Sequence, residues 1–296
     1  MGTFLSVFGV GVLLAGLVYV AAERYFTYNA FCQKRFFPVC TLLSLLLAIC
    51  LSRVNTLIFG GFMTRQRSFL SLYPYDYTVL GFLIGAFLGA WIAAYLCHEK
   101  VLIALDILPF AFLGSLTIER IFEVFSDFGW GALVYDSRWQ FFPLSTADMY
   151  GQYHLSVFFF EAAAALILFI LLPKNKIGTG KSFFMGMLVF SLSQMFFESL
   201  RSETLRFGFV RIQQAECFLI VLVLTLTQIR YLGTRRGIGL AVLTLILLAV
   251  MIFCEYALDK LTEIPTLVIY LIMCLSLTAT GIIIARTTHG GFEHVK

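Results

Sequence analysis

Nine runs of apolar residues dominate the chain: 3–22, 38–59, 78–97, 101–118, 154–172, 183–200, 213–232, 237–257 and 264–286. Crossing the roughly 30 Å hydrocarbon core of a bilayer takes about 20 apolar helical residues. In lipid, only a helix or a closed barrel satisfies its own backbone. Runs of this length predict helices, so the expected fold class is all-α, a polytopic transmembrane helix bundle. The sixth run is short and amphipathic, the least secure span of the nine. Composition agrees, with 60% hydrophobic and 13% charged residues, against about half and about a quarter in soluble domains.

Composition also excludes several classes. No basic, aromatic-interleaved patch exists, so no nucleic-acid partner is expected. Seven cysteines, at 32, 40, 50, 97, 217, 254 and 274, show no metal spacing. They read as buried small hydrophobes, not as a disulfide framework. Histidines 98, 154, 289 and 294 form no ligand cluster in sequence, so neither a metal nor a cofactor is expected. The first run lacks a basic n-region and a small-residue cleavage site, and reads as a retained span.

Lysines and arginines of short loops set orientation. With nine spans, 12 fall on one side and 8, including Arg65, Arg67, Arg120, Arg138, Arg201, Arg206 and Arg211, on the other. This bias predicts an outer N-terminus and a cytoplasmic C-terminus. The outer side then carries the longest loop, 119–153, with Trp130 and Trp139.

The ionisable residues near span ends are the candidate site, because such groups are costly in lipid and face protein or a wet cavity. The fourth span brings Asp106 into the bilayer and Arg120 to its far edge, flanked by Glu119 and Glu123. Arg120 and Glu123, three apart, share a helix face and can pair. The alternative is a guanidinium that grips a phosphate with its planar fork. Arg53 either snorkels to the interface or, with Asn55, faces protein. Gly81, Gly85 and Gly89 form a small-residue face for close helix packing. His154 and Glu161, seven apart, are expected on one face as the fifth span begins. Gln194, Glu198 and Arg201 make a polar stripe on the sixth, followed by Arg206, Arg211, Gln213 and Gln214.

From Gly16 to about Leu232 these residues resemble the prolipoprotein diacylglyceryl transferase family. Those bacterial enzymes move diacylglycerol from phosphatidylglycerol to the thiol of a lipobox cysteine. The family's GLxY appears as Gly16-Leu17-Val18-Tyr19, its second-helix arginine as Arg53, and its GGLIG as Gly81 to Gly85. Asp106 and Arg120 keep the spacing into the GRxGNFxNxExxG signature, whose end is echoed by Trp130-Gly131. HPSQLYE is echoed by His154 to Glu161 with one residue extra, RxxxExxR by Gln194, Glu198 and Arg201, and MGQ near Gln213 or Gln214. There are departures. The family histidine before GGLIG falls on Leu80, the first-helix tyrosine on Ala15, the signature asparagine on Glu123 and its carboxylate on Phe128. The second arginine falls on Gln194.

The resemblance implies a diacylglyceryl-transferase-like membrane domain at 1–232 with about seven spans. Residues 233–296 add two helices and a cytoplasmic tail. It implies a transferase of the bacterial plasma membrane. The expected partners are phosphatidylglycerol or another anionic phospholipid and a prolipoprotein signal peptide with its lipobox cysteine. Arg120, Glu123 and Glu198 are the expected catalytic residues. Arg53, Arg201, Gly131, His154, Glu161, Gln194 and Gln214 are expected to bind substrate. Asp76, Glu123, Glu198 or His154 would replace the missing base. The competing reading is a lipid-binding or assembly protein on the same scaffold. The catalytic reading requires a hollow beside Arg120. A guanidinium wholly taken up by carboxylates would leave only a resemblance of shape.

Overall fold

The computed structural model describes residues 2–30, 32–60, 77–126, 129–148, 150–174, 177–202, 204, 206–207, 210–232, 234–260 and 265–289. Arg65, Arg67, Asp76, Phe128, Lys176 and His294 lie outside them. The described residues form nine helices: α1 Gly2–Asn29, α2 Phe36–Phe59, α3 Val79–Leu96, α4 Val101–Phe122, α5 Val157–Leu171, α6 Lys181–Leu200, α7 Ile212–Leu232, α8 Thr234–Lys260 and α9 Thr266–His289. The fold is all-α and the protein is a membrane protein: seven helices are long and apolar enough to span a bilayer. α6 is one of them, despite its amphipathic sequence. The two short apolar segments are Val157–Leu171 and Ile212–Gln228.

By packing, the chain divides into two compact units, Met1–Phe183 with Leu200–Glu203, and Phe184–Ser199 with Thr204–Lys296. In the first unit, α3 lies against α2 through its glycine face. A Cβ on Gly81, Gly85 or Gly89 would fall 2.6 Å from Ser52 Cα, 2.2 Å from Leu47 O or 2.4 Å from Ser44 Cα. Only glycine permits that approach. The start of α3 is tied to α2 by polar groups. Ser52 Oγ donates to Thr78 O at 2.8 Å and accepts from Thr78 N at 2.7 Å. Asn55 Nδ2 donates to Thr78 Oγ1 at 3.0 Å, and Thr78 Oγ1 caps Gly81 N at 3.2 Å.

Asp106 has a structural task. Its carboxylate accepts from the N–H groups of Gly178 and Gly180 at 2.8 Å and of Phe183 at 2.9 Å. It thereby satisfies donors orphaned at the start of α6. Gly178 and Gly180 have φ of 92° and 78°, so the turn that presents these donors needs glycine. α1 packs on α4 with Phe26 stacked on Phe110 at 4.2 Å.

The segment between α4 and α5 is not a plain loop. β1 (Ser145–Ala147) pairs antiparallel with β2 (Tyr153–Leu155), matching Thr146 with His154. His154 is therefore on a strand, and it does not share a helix face with Glu161. Leu155 N donates to Ala132 O at 3.0 Å, which holds the chain extended until α5 begins at Val157. A second hairpin, β3 (Arg206–Phe207) with β4 (Val210–Arg211), precedes α7 in the second unit.

Candidate functional site

In the first unit, five charged side chains converge from three stretches of sequence. α4 carries Glu119 and Arg120 in its last turn. A 3-10 turn, Glu123–Phe125, follows. It is closed by Ser126, whose N–H and hydroxyl both donate to Glu123 O, at 2.9 and 2.7 Å. That turn keeps Glu123 over Arg120, and Arg120 Nη1 donates to Glu123 Oε2. Glu119 Oε2 lies 3.5 Å from the same nitrogen.

From α5, Glu161 Oε2 approaches Arg120 Nε to 2.6 Å. The N–H does not point at that oxygen, so the contact is ionic and not a hydrogen bond. Arg201 grips Glu161 with two bonds, Nε to Oε1 at 2.9 Å and Nη2 to Oε2 at 2.8 Å. Its Nη2 also lies 3.6 Å from Glu123 Oε2. Arg120, Glu123, Glu161 and Arg201 are all buried. Three carboxylates against two guanidiniums give the ionised cluster a formal charge of minus one.

Arg201 gets there because α6 ends at Leu200. Arg201 thus lies beyond the helix and is not the last member of a helical stripe. Its backbone bridges to Gly131, and Ser202 N and Oγ both donate to Trp130 O at 2.9 Å. Gly131 N donates to Leu155 O at 2.8 Å. A Cβ at Gly131 would come within 2.9 Å of Leu200 O and of Leu155 Cβ. The small residue lets three chain segments cross at one point. Gly129 has φ of 71°, and a Cβ there would meet the Glu123 carboxyl at 2.8 Å.

His154 stands at the edge of this crossing. Its Nε2 is 3.3 Å from Asp148 Oδ2 and its Nδ1 is 3.4 Å from Gly131 O. Partial burial pushes the Asp148 carboxyl up. The N–H groups of Gln152 and Tyr150 and the His154 ring outweigh it and hold that carboxyl below its ordinary value.

The expectation of an open guanidinium is not met. Arg120 is ringed by Glu119, Glu123 and Glu161, because that turn of α4 and the first turns of α5 supply carboxylates to it. A crevice too narrow for a water molecule lies elsewhere in the first unit, lined by Tyr19, Glu23, Cys40, Ser44 and Ala90, among others. Thr41 Oγ1 donates to Glu23 there at 2.8 Å. Sequence reasoning passed over Glu23, which falls just past the first apolar run beside Arg24, although α1 carries on through it to Asn29. Arg53 is fully buried in α2 and does not snorkel. Leu80, where the family histidine would fall, is fully buried too.

Gln194, Glu198 and Gln214 belong to the second unit, and all three are buried. Gln214 Nε2 reaches Met195 O at 3.0 Å, Ser199 Oγ at 2.6 Å and Glu255 Oε1 at 2.7 Å. Arg211 Nε donates to Glu255 Oε2 at 3.1 Å, and Arg211 Nη1 donates to Glu198 O at 2.6 Å. Glu255, on α8, organises this network and was missed. Its signal was a lone carboxylate inside an apolar run. Among the described residues, no group of three His, Cys, Asp or Glu side chains could hold a metal ion, and all seven cysteines are free.

Six of the ten expected site residues thus meet in one place: Arg120, Glu123, Gly131, His154, Glu161 and Arg201. The cluster can hold or pass a proton among three carboxylates, and it can offer a guanidinium if a carboxylate yields. No family model, no curated protein and no solved structure matches this chain.

Proposed function

We propose that the protein is a diacylglyceryl-transferase-like enzyme of the bacterial plasma membrane, acting on phosphatidylglycerol or a similar anionic lipid and on a lipobox cysteine. The observation that supports this is convergence. Arg120, Gly131, His154, Glu161 and Arg201, picked out by their likeness to family motifs, gather around one buried charge cluster, while Gln194 and Glu198 belong to the second unit. The loop charges, 12 against 8, favour an outer N-terminus and a cytoplasmic C-terminus.

The proposed chemistry uses the surplus carboxylate. A thiol attacks well only as its thiolate, and Leu80 cannot serve as a base. Glu123 or a neighbouring carboxylate takes the thiol proton. That lowers the negative charge around Arg120 and releases its guanidinium for the lipid phosphate. The sulfur–carbon bond forms as the carbon–oxygen bond to the phosphate breaks, and the electron pair departs with the glycerol phosphate. Arg120 stabilises the charge that develops there, with Arg201 beside it.

A second reading is favoured by the three carboxylates that close around Arg120, the outcome that leaves only a resemblance of shape: the cluster is a structural lock, and the chain is a non-catalytic lipid-binding or assembly protein. Complementation separates the two. In cells depleted of their own transferase, the wild type should restore diacylglyceryl modification of a lipobox substrate, and Arg120→Ala should abolish it. No rescue by a well-expressed wild type, or full rescue by Arg120→Ala, overturns the catalytic reading.

A further inference from the structure

α5 is too short for the membrane it sits in. Its 15 residues, Val157–Leu171, span about 22 Å, against a hydrocarbon core of roughly 30 Å. Its flank is nonetheless apolar and exposed, with Ile167 and Ile170 each more than half uncovered. Something must cover the missing length.

The segment just before α5 has the right surface. Trp139, Phe141 and Phe142 are 55%, 51% and 65% exposed, and Tyr135 and Tyr150 more than 80%. So much aromatic surface facing bulk water is unusual for a segment held this firmly. The hold is firm, since Phe142 packs edge-on against Phe159 of α5 at 4.9 Å. Ser145 Oγ donates to Trp139 O at 2.7 Å, and Gln140 Nε2 donates to Val134 O at 2.8 Å. The aromatic surface therefore continues the lipid-facing flank of α5 beyond its first turn.

Charge fits the same setting. From 132 to 152 the charged residues are Asp136, Arg138 and Asp148. Arg138 pairs with Asp136 at 2.7 Å, and Asp148 is held by His154 and two N–H groups. None enters an interface as a bare ion. Amphipathic aromatics collect at headgroup level, where one edge is apolar and the other wet.

We infer that residues 133–148 and Tyr150 lie in the headgroup–acyl boundary of the bilayer and complete the short fifth span, with phospholipid as the partner of the Trp139–Phe142 face. The placement is independent of any reaction at the charged cluster.

The test uses the full chain in phospholipid nanodiscs. The protein has three tryptophans, Trp91, Trp130 and Trp139. Replacing Trp91 and Trp130 with Phe isolates Trp139. A W139F protein, read by difference against wild type, gives the same signal with Trp130 left in place. The expected result is blue-shifted Trp139 emission, quenched more by lipid labelled near the top of the acyl chain than by lipid labelled near its end. Aqueous acrylamide should quench it little. Ready quenching by acrylamide without lipid quenching overturns the inference. So does protection from both quenchers, which would mean that protein covers the face.

Discussion

Replacing Glu161 with Ala removes two hydrogen bonds from Arg201 and the 2.6 Å contact from Arg120. Breaking a buried pair by deleting one partner costs about 3–5 kcal/mol, because a charge is left without compensation. Here Glu123 remains 3.6 Å from Arg201 Nη2, so the lower end applies, about 3 kcal/mol. Arg201→Ala exposes Glu161 to a similar loss, softened by Arg120, again about 3 kcal/mol. The double variant leaves neither charge stranded. It should cost clearly less than the sum, with a coupling of about 2–3 kcal/mol. The assay is reversible unfolding in mixed micelles, followed by circular dichroism, for the four proteins of the cycle. If the single costs add to within about 0.5 kcal/mol, the pair is not coupled and the picture of a buried ionic lock is wrong.

Two further outcomes follow from the geometry. Gly85→Ala puts a methyl 2.2 Å from Leu47 O and should destabilise by about 1–3 kcal/mol. Gly9→Ala, which meets nothing within 4 Å, should be neutral or slightly stabilising, and equal midpoints for the two variants in thermal melts would refute the α2–α3 contact. Asp148 is held low when folded, so its contribution is full above the ordinary carboxylate value of about 3.9 and is lost as pH falls through the lower folded value. Carbon-13 NMR of its carboxyl should give a midpoint below that of a free aspartate, and a midpoint at or above it contradicts the contacts with Gln152, Tyr150 and His154.

Hydropathy located all nine helices, because length and apolar content carry that information directly, though the first run stops at 22 and α1 continues to Asn29. The glycine face of α3 was legible for a related reason, since only packing explains three glycines four residues apart. The partners of buried charges were not legible. Arg201 finds Glu161 at a separation of 40 residues, and Arg211 finds Glu255 at 44, distances at which sequence spacing says nothing. His154 was misplaced because an apolar run does not reveal where a strand pairs before a helix begins. Glu255 escaped notice because a lone carboxylate in an apolar run reads as an interruption until its donors are known, and Glu23 because it falls beside Arg24 just past the end of the first run. The convergence around Gly131 is foreshadowed only by motif resemblance, and no periodicity encodes it.

Asp106 raises a question of timing during synthesis. α4 leaves the ribosome well before the groups that satisfy its carboxylate, which follow 72 to 77 residues later. A bare aspartate opposes insertion by about 2.5–3.5 kcal/mol at a span's centre, and by less near the start of Val101–Phe122, where Asp106 lies. Until Gly178, Gly180 and Phe183 arrive, the fourth helix sits in the bilayer on its leucines and phenylalanines alone. A nascent chain stopped short of residue 178 should hold that helix less securely than the finished protein does, which makes the 178–183 turn the late clasp on an early helix.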